Sequence, residues 1–105
     1  MPKTTRIIKP NTFQLEGHIS VDSGQVMLID PCYIKSNFAT ESGATAGLNY
    51  AGACGVTLSK DRCGEFGGLA FATSTYYGDG EYPVFVKRDE SGGITEIKIK
   101  FKNPK

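Results

Sequence analysis

Tryptophan is absent from this 105-residue chain, which also has one histidine, three cysteines and two methionines. With a single imidazole, any Ser-His-Asp or Cys-His mechanism must use His18. Local alternation puts His18 in mid-strand on a polar face, whereas activated nucleophiles usually sit at turns or strand ends beside an oriented base. The odd set Cys32, Cys54 and Cys63 contains no CxxC knuckle, which argues against both a disulfide framework and a structural zinc site. At most one intramolecular pair can form, and reduced thiols are the default. No run of about 18 apolar residues occurs, and the opening MPKTTRIIKPNTF offers only the pair Ile7-Ile8 where a signal peptide needs an apolar core. The expected compartment is therefore the cytoplasm. Phosphate cradles of the GxxxxGK[ST] and GxGxxG types are also missing, which excludes nucleotide binding through those two motifs. The residues imply no cofactor and no metal.

A dominant charge of one sign is lacking too: twelve Lys and Arg face eleven Asp and Glu, for a formal +1. Strong global polyelectrolyte character is thereby excluded. The distribution is uneven, however. Residues 1–10 and 98–105 hold seven basic and no acidic residues, leaving 11–97 with five basic against eleven acidic, or −6. At this length one domain spanning residues 1–105 is expected, with 1–10 as a basic N-terminal arm.

What the sequence does contain is β patterning. Phe13, Leu15, Gly17, Ile19 and Val21 alternate with Gln14, Glu16, His18 and Ser20, the two-residue period of a half-buried strand. Asp22-Ser23-Gly24 supplies a turn, and Gln25 to Ile29 is a short apolar run stopped by Asp30-Pro31. The two arms read as a hairpin, the second apolar on both faces and so expected to be central or covered. From Lys35 to Gly55 small residues prevail, admitting a short helix around residues 36–47 or a packed loop. Cys54 to Ser59 and Gly67 to Thr75 read as strands across a polar turn at Lys60 to Glu65. In the second of these Ala70 and Ala72 make a face that another layer can approach closely. Tyr82 to Lys87 and Ile97 to Phe101 flank Asp89-Glu90-Ser91-Gly92-Gly93 as a further hairpin, with Pro83 suggesting an edge or a bulge. The fold class expected is all-β, or β-rich with at most one short helix: a small antiparallel sandwich or partly closed barrel of about six strands.

Two polar segments stand out, Asp30-Pro31-Cys32-Tyr33 and Gly78-Asp79-Gly80-Glu81-Tyr82-Pro83. One reading has their carboxylates accepting backbone N–H bonds to hold tight turns. The other gathers Asp22, Asp30 and Asp79 at one end of a sheet to bind a small ligand, with Cys32 nearby and Tyr33, Tyr77 and Tyr82 as flat walls. Gly-Asp-Gly resembles a fragment of a calcium loop, but the alternating acidic ladder and terminal Glu are absent. Lys98, Lys100 and Lys102 share one face of the last strand and Lys105 follows, forming a stripe able to contact phosphates or, more plainly, to guard a strand edge. No row of exposed aromatics is evident beside it, so nucleic acid is not the favoured partner.

The pairing of VDSGQVMLIDPCY (residues 21–33) with GDGEYPVFVKRDESGGITEIKIKF (residues 78–101) resembles the bacterial and phage family catalogued as domain of unknown function 4241. The resemblance implies a β domain of bacterial or phage type and supplies no catalytic residues. Taken together, the residues favour a non-enzymatic protein that binds a protein partner or itself. The rival is a small-ligand binder or hydrolase built on the acidic turns, and the weaker alternative is phosphate-backbone binding through Lys98, Lys100 and Lys102.

Overall fold

The computed structural model describes residues 7–39 and 47–102. Lys105, residues 40–46 of the helix-or-loop segment and the first six residues of the basic arm lie outside the described residues. Six strands form two antiparallel three-stranded sheets, with one α-helix and no closed barrel among the described residues. The strands are β1 (Gln14–Val21), β2 (Gln25–Leu28), β3 (Cys63–Phe66), β4 (Ala70–Ser74), β5 (Gly80–Arg88) and β6 (Ile94–Ile99), and the helix is α1 (Tyr50–Thr57). The chain divides into two compact units, one holding residues up to Ser20 and from Glu81 onward, the other Val21–Gly80.

In the first unit the sheet order is β1-β5-β6. The hairpin β5-β6 forms as the alternation predicts, in register from Val84 opposite Ile99 to Lys87 opposite Glu96, with a bulge at Lys87/Arg88. Its turn is tied by Asp89, whose Oδ1 accepts from Ser91 N (2.9 Å), Ser91 Oγ (2.8 Å) and Gly93 N (3.0 Å). These donors hold the Asp89 carboxyl below its ordinary value, the Ser91 hydroxyl contributing most. Strand β5 is central, which corrects the edge position suggested by Pro83. Pro83 lies just before the registered pairing with β6, and only its carbonyl bonds across, accepting from Lys100 N at 3.3 Å. Residues 7–10 of the expected arm are fastened by Gln14, which accepts from Lys9 N (3.1 Å) and donates to Ile7 O (3.0 Å).

In the second unit the order is β2-β4-β3. The expected β1-β2 hairpin is thus corrected: the two strands join different sheets. The turn between them is fixed from far along the chain instead, because Gly24, at φ +69°, donates to Asp79 and its carbonyl accepts from Thr75 N (3.0 Å). Strand β2 is consequently an edge strand, not a central one. The expected strand at Cys54–Ser59 is also corrected, since that stretch runs into the second half of α1. Asn49 starts the helix by accepting from Gly52 N (2.8 Å). The turn placed at Lys60 to Glu65 gives way to β3 from Cys63, and the following strand begins only at Ala70, because Gly67 and Gly68 turn the chain at positive φ. A Cβ on Gly67 would lie 2.6 Å from Leu48 Cα, so this turn needs glycine for space as well as conformation.

The Ala-rich face of β4 carries a second layer, as its composition suggests. Ala53 of α1 clusters with Phe66, Ala70 and Ala72, and Met27, Ile29, Phe38, Leu48 and Val56 pack around them. Gly64 of β3 faces the helix at Val56, where even an added Cβ would make only ordinary contact, at 3.4 Å from Val56 Cβ.

Candidate functional site

The two acidic segments lie at opposite ends of β2. At its start, the Asp79 carboxylate accepts from Gly24 N at 2.9 Å, bridging 55 residues. Thr75 closes the adjoining turn: its N–H donates to Gly24 O, its hydroxyl donates to Gly78 O (2.7 Å), and Gly78 N donates to Thr75 O (3.1 Å). Asp22 is exposed two residues before Gly24, and Tyr76 and Tyr77 stand edge to face at 4.8 Å on the surface of this region. Beyond the other end of β2, Asp30 caps the 3-10 turn Pro31–Tyr33 by accepting from Cys32 N at 3.1 Å. Six residues of extended chain separate Gly24 from Asp30, about 20 Å at 3.3 Å per residue. The structure therefore does not bring Asp30 together with Asp79 in one concave site. Each carboxylate has a backbone N–H to hold.

The other residues of that proposed site part company as well. Tyr82 is 1% exposed, its ring edge to face with Phe101 at 5.6 Å, so it offers no wall to a ligand. Tyr33 and Cys32 are both exposed beside Asp30. All three cysteines are free thiols. His18 is exposed in mid-strand. Among the described residues no three His, Cys, Asp or Glu side chains gather as metal ligands, and no helix is long and apolar enough to cross a membrane.

A cavity of about 170 Å³ lies between β2 and α1, lined by Met27, Phe38, Tyr50 and Ala53 among others. Its polar neighbour Gln25 is already engaged, accepting from Thr57 Oγ1 at 2.6 Å and donating to Cys54 Sγ at 3.4 Å. Little is left there to orient a polar ligand.

Two surfaces are more distinctive. The first is the outer face of sheet β2-β4-β3. Leu28 pairs with Phe71, and on this face Leu28 is 50%, Leu69 51% and Phe71 38% exposed. Together with Glu65 and Gly68 they line a shallow open groove of about 420 Å³. The alternation in β4 was the available signal: with Ala70 and Ala72 inward, Phe71 must point outward.

The second surface is on sheet β1-β5-β6. Lys98 Nζ stands 4.3 Å from the Phe13 ring centre and 5.4 Å from that of Phe85; Lys100 Nζ is 5.4 Å from Phe85, and Lys87 Nζ 4.7 Å from Phe13. Lys87 also pairs with Glu96 at 3.2 Å. The lysine stripe thus does have aromatic neighbours. They come from Phe13 and from β5, and only the strand order reveals them.

The chain matches no family model, no curated protein and no solved structure. Its function is therefore argued from these surfaces alone.

Proposed function

We propose that this chain is a non-enzymatic binding protein that self-associates, a second copy covering the outer face of sheet β2-β4-β3. The observation that carries this reading is the trio Leu28, Leu69 and Phe71, contiguous and half-exposed over a groove. Contiguous exposed apolar surface marks interaction sites, whereas scattered single residues do not. A second copy is the occupant favoured by the small core of this unit, where three of the four clustered buried side chains are alanines. So little buried apolar surface leaves stability to be gained from association. A binding role is favoured over catalysis because Asp30, Asp79 and Asp89 are each engaged by backbone N–H groups of their own turns. The cytoplasm suits three free thiols.

Covering the exposed halves of three large side chains contributes about 1 kcal/mol each, hence about 6 kcal/mol for two copies. Association entropy consumes a comparable amount, so the dimer is weak and populated only at high protein concentration. Sedimentation equilibrium carried up to millimolar protein should show monomer and dimer, and Leu69→Glu should leave monomer alone. A wild type that stays monomeric, or a Leu69→Glu variant that dimerises equally well, overturns the proposal; a monomeric wild type would point to a different partner.

A further inference from the structure

We infer that the lysine-bearing face of sheet β1-β5-β6 binds the phosphate backbone of single-stranded nucleic acid. This goes beyond the self-association reading and uses none of its residues, so either can fail alone. Lys98 of β6 and Lys100 just past its end both stand over the Phe85 ring, about 7 Å apart along extended chain, and Lys102 follows two residues on. Among the described residues no carboxylate lies within ion-pair distance of these three, whereas Lys87 is neutralised by Glu96. Three cations with no acid partner in a row are a site for a repeating anion. Two of them lie over aromatic rings, Lys98 over both Phe13 and Phe85 and Lys100 over Phe85.

The rings favour nucleic acid over an acidic peptide. When phosphates draw the ammonium groups away, the half-buried faces of Phe13 and Phe85 become stacking platforms for bases, which carboxylate side chains cannot use. They favour a single strand because paired bases are not free to stack on a protein ring, and because a flexible backbone can follow a straight row of charges. The chain's overall formal charge of only +1 is no obstacle, since the row is local.

The test is fluorescence anisotropy of a labelled oligothymidylate at varied KCl. Three neutralised phosphates give a slope of log affinity on log salt of about −2, or about 20-fold weaker binding at 200 mM than at 50 mM. Replacing Lys98→Gln and Lys100→Gln together should reduce the slope to about −0.7. Phe85→Leu should weaken binding while leaving the slope unchanged, the signature of lost stacking. Should the double variant fail to fold, Lys102→Gln, which touches neither ring, should by itself flatten the slope by about 0.7. The inference is overturned by absence of binding at 50 mM salt, by variants that match the wild-type slope, by equal affinity for a duplex of the same sequence, or by oligoglutamate competing as well as the oligonucleotide.

Discussion

Asp79 offers the sharpest separation between an acid that holds a turn and an acid that binds a ligand. Its carboxylate accepts one hydrogen bond, from Gly24 N at 2.9 Å, and the bond joins two turns 55 residues apart. A hydrogen bond to a charged group contributes about 1.5–3 kcal/mol, and this one is exposed, so Asp79→Ala should cost about 1.5 kcal/mol. Gly24 remains fastened through its carbonyl to Thr75 N, so the turn should loosen without the fold being lost. At this chain length the cost corresponds to a fall in Tm of about 6 °C. With a urea m-value near 1.5 kcal/mol/M the midpoint falls by about 1 M. Asp79→Asn keeps an oxygen acceptor of the same reach and should lose only about 0.5 kcal/mol, the difference between a charged and a neutral acceptor. Urea titrations followed by far-ultraviolet circular dichroism, with m unchanged, measure both. If Asp79→Ala unfolds within about 0.3 kcal/mol of wild type, or Asp79→Asn is as damaging as Asp79→Ala, the turn-holding account is refuted, because its magnitude rests on that one bond.

Two further outcomes follow from the other side-chain caps. Asn49 is 1% exposed and supplies the oxygen that accepts from the buried Gly52 N–H, so Asn49→Ala should cost about 2 kcal/mol, with Asn49→Ser recovering part of it; chemical denaturation measures both. The Asp89 carboxyl is lowered from 3.8 by the Ser91 hydroxyl and the turn N–H groups, so it stabilises the fold above its unfolded value, near pH 4, and loses that contribution as pH falls through the lower folded value. Comparing the pH dependence of stability for wild type and Asp89→Ala should show the acid-side slope reduced in the variant, and identical profiles would contradict the assignment.

The sequence made strands legible where a period of two ran uninterrupted, as from Phe13 to Val21 and in the hairpin from Tyr82 to Phe101. It hid α1 because Tyr50–Thr57 is built of small and apolar residues with no polar face to set against an apolar one. A short apolar run such as Cys54 to Leu58 then fits strand and helix alike. Pairing was harder still. Asp22-Ser23-Gly24 has hairpin chemistry, yet the bonds that place Gly24 come from Thr75 and Asp79, and no local pattern reports a partner more than 50 residues away. The same limit governs the candidate sites. Lys98 and Lys100 were visible as a stripe, but Phe13 joins them only because β1 and β6 flank β5. The acidic turns share residue types but not a place, since β2 runs between them.

Strand β4 and the turn before it invert the usual placement of large and small apolar residues. In a strand packed on one side, large apolar residues usually face the core and smaller or polar ones face water. Here the order is reversed: Ala70 and Ala72 are buried while Leu69 and Phe71 are exposed. The inner choice has a local cause, since α1 lies close over β3 and β4, with Gly64 near Val56, and a larger residue at position 72 would push the helix away. Among the described residues the outer choice has no such cause, since neither Leu69 nor Phe71 belongs to the core cluster. Threonine would serve an exposed strand position as well and keep the surface polar. Inward residues of β4 therefore specify the fold, while outward ones are the basis of the proposed self-association, and the same parity that determines the first set identifies the second.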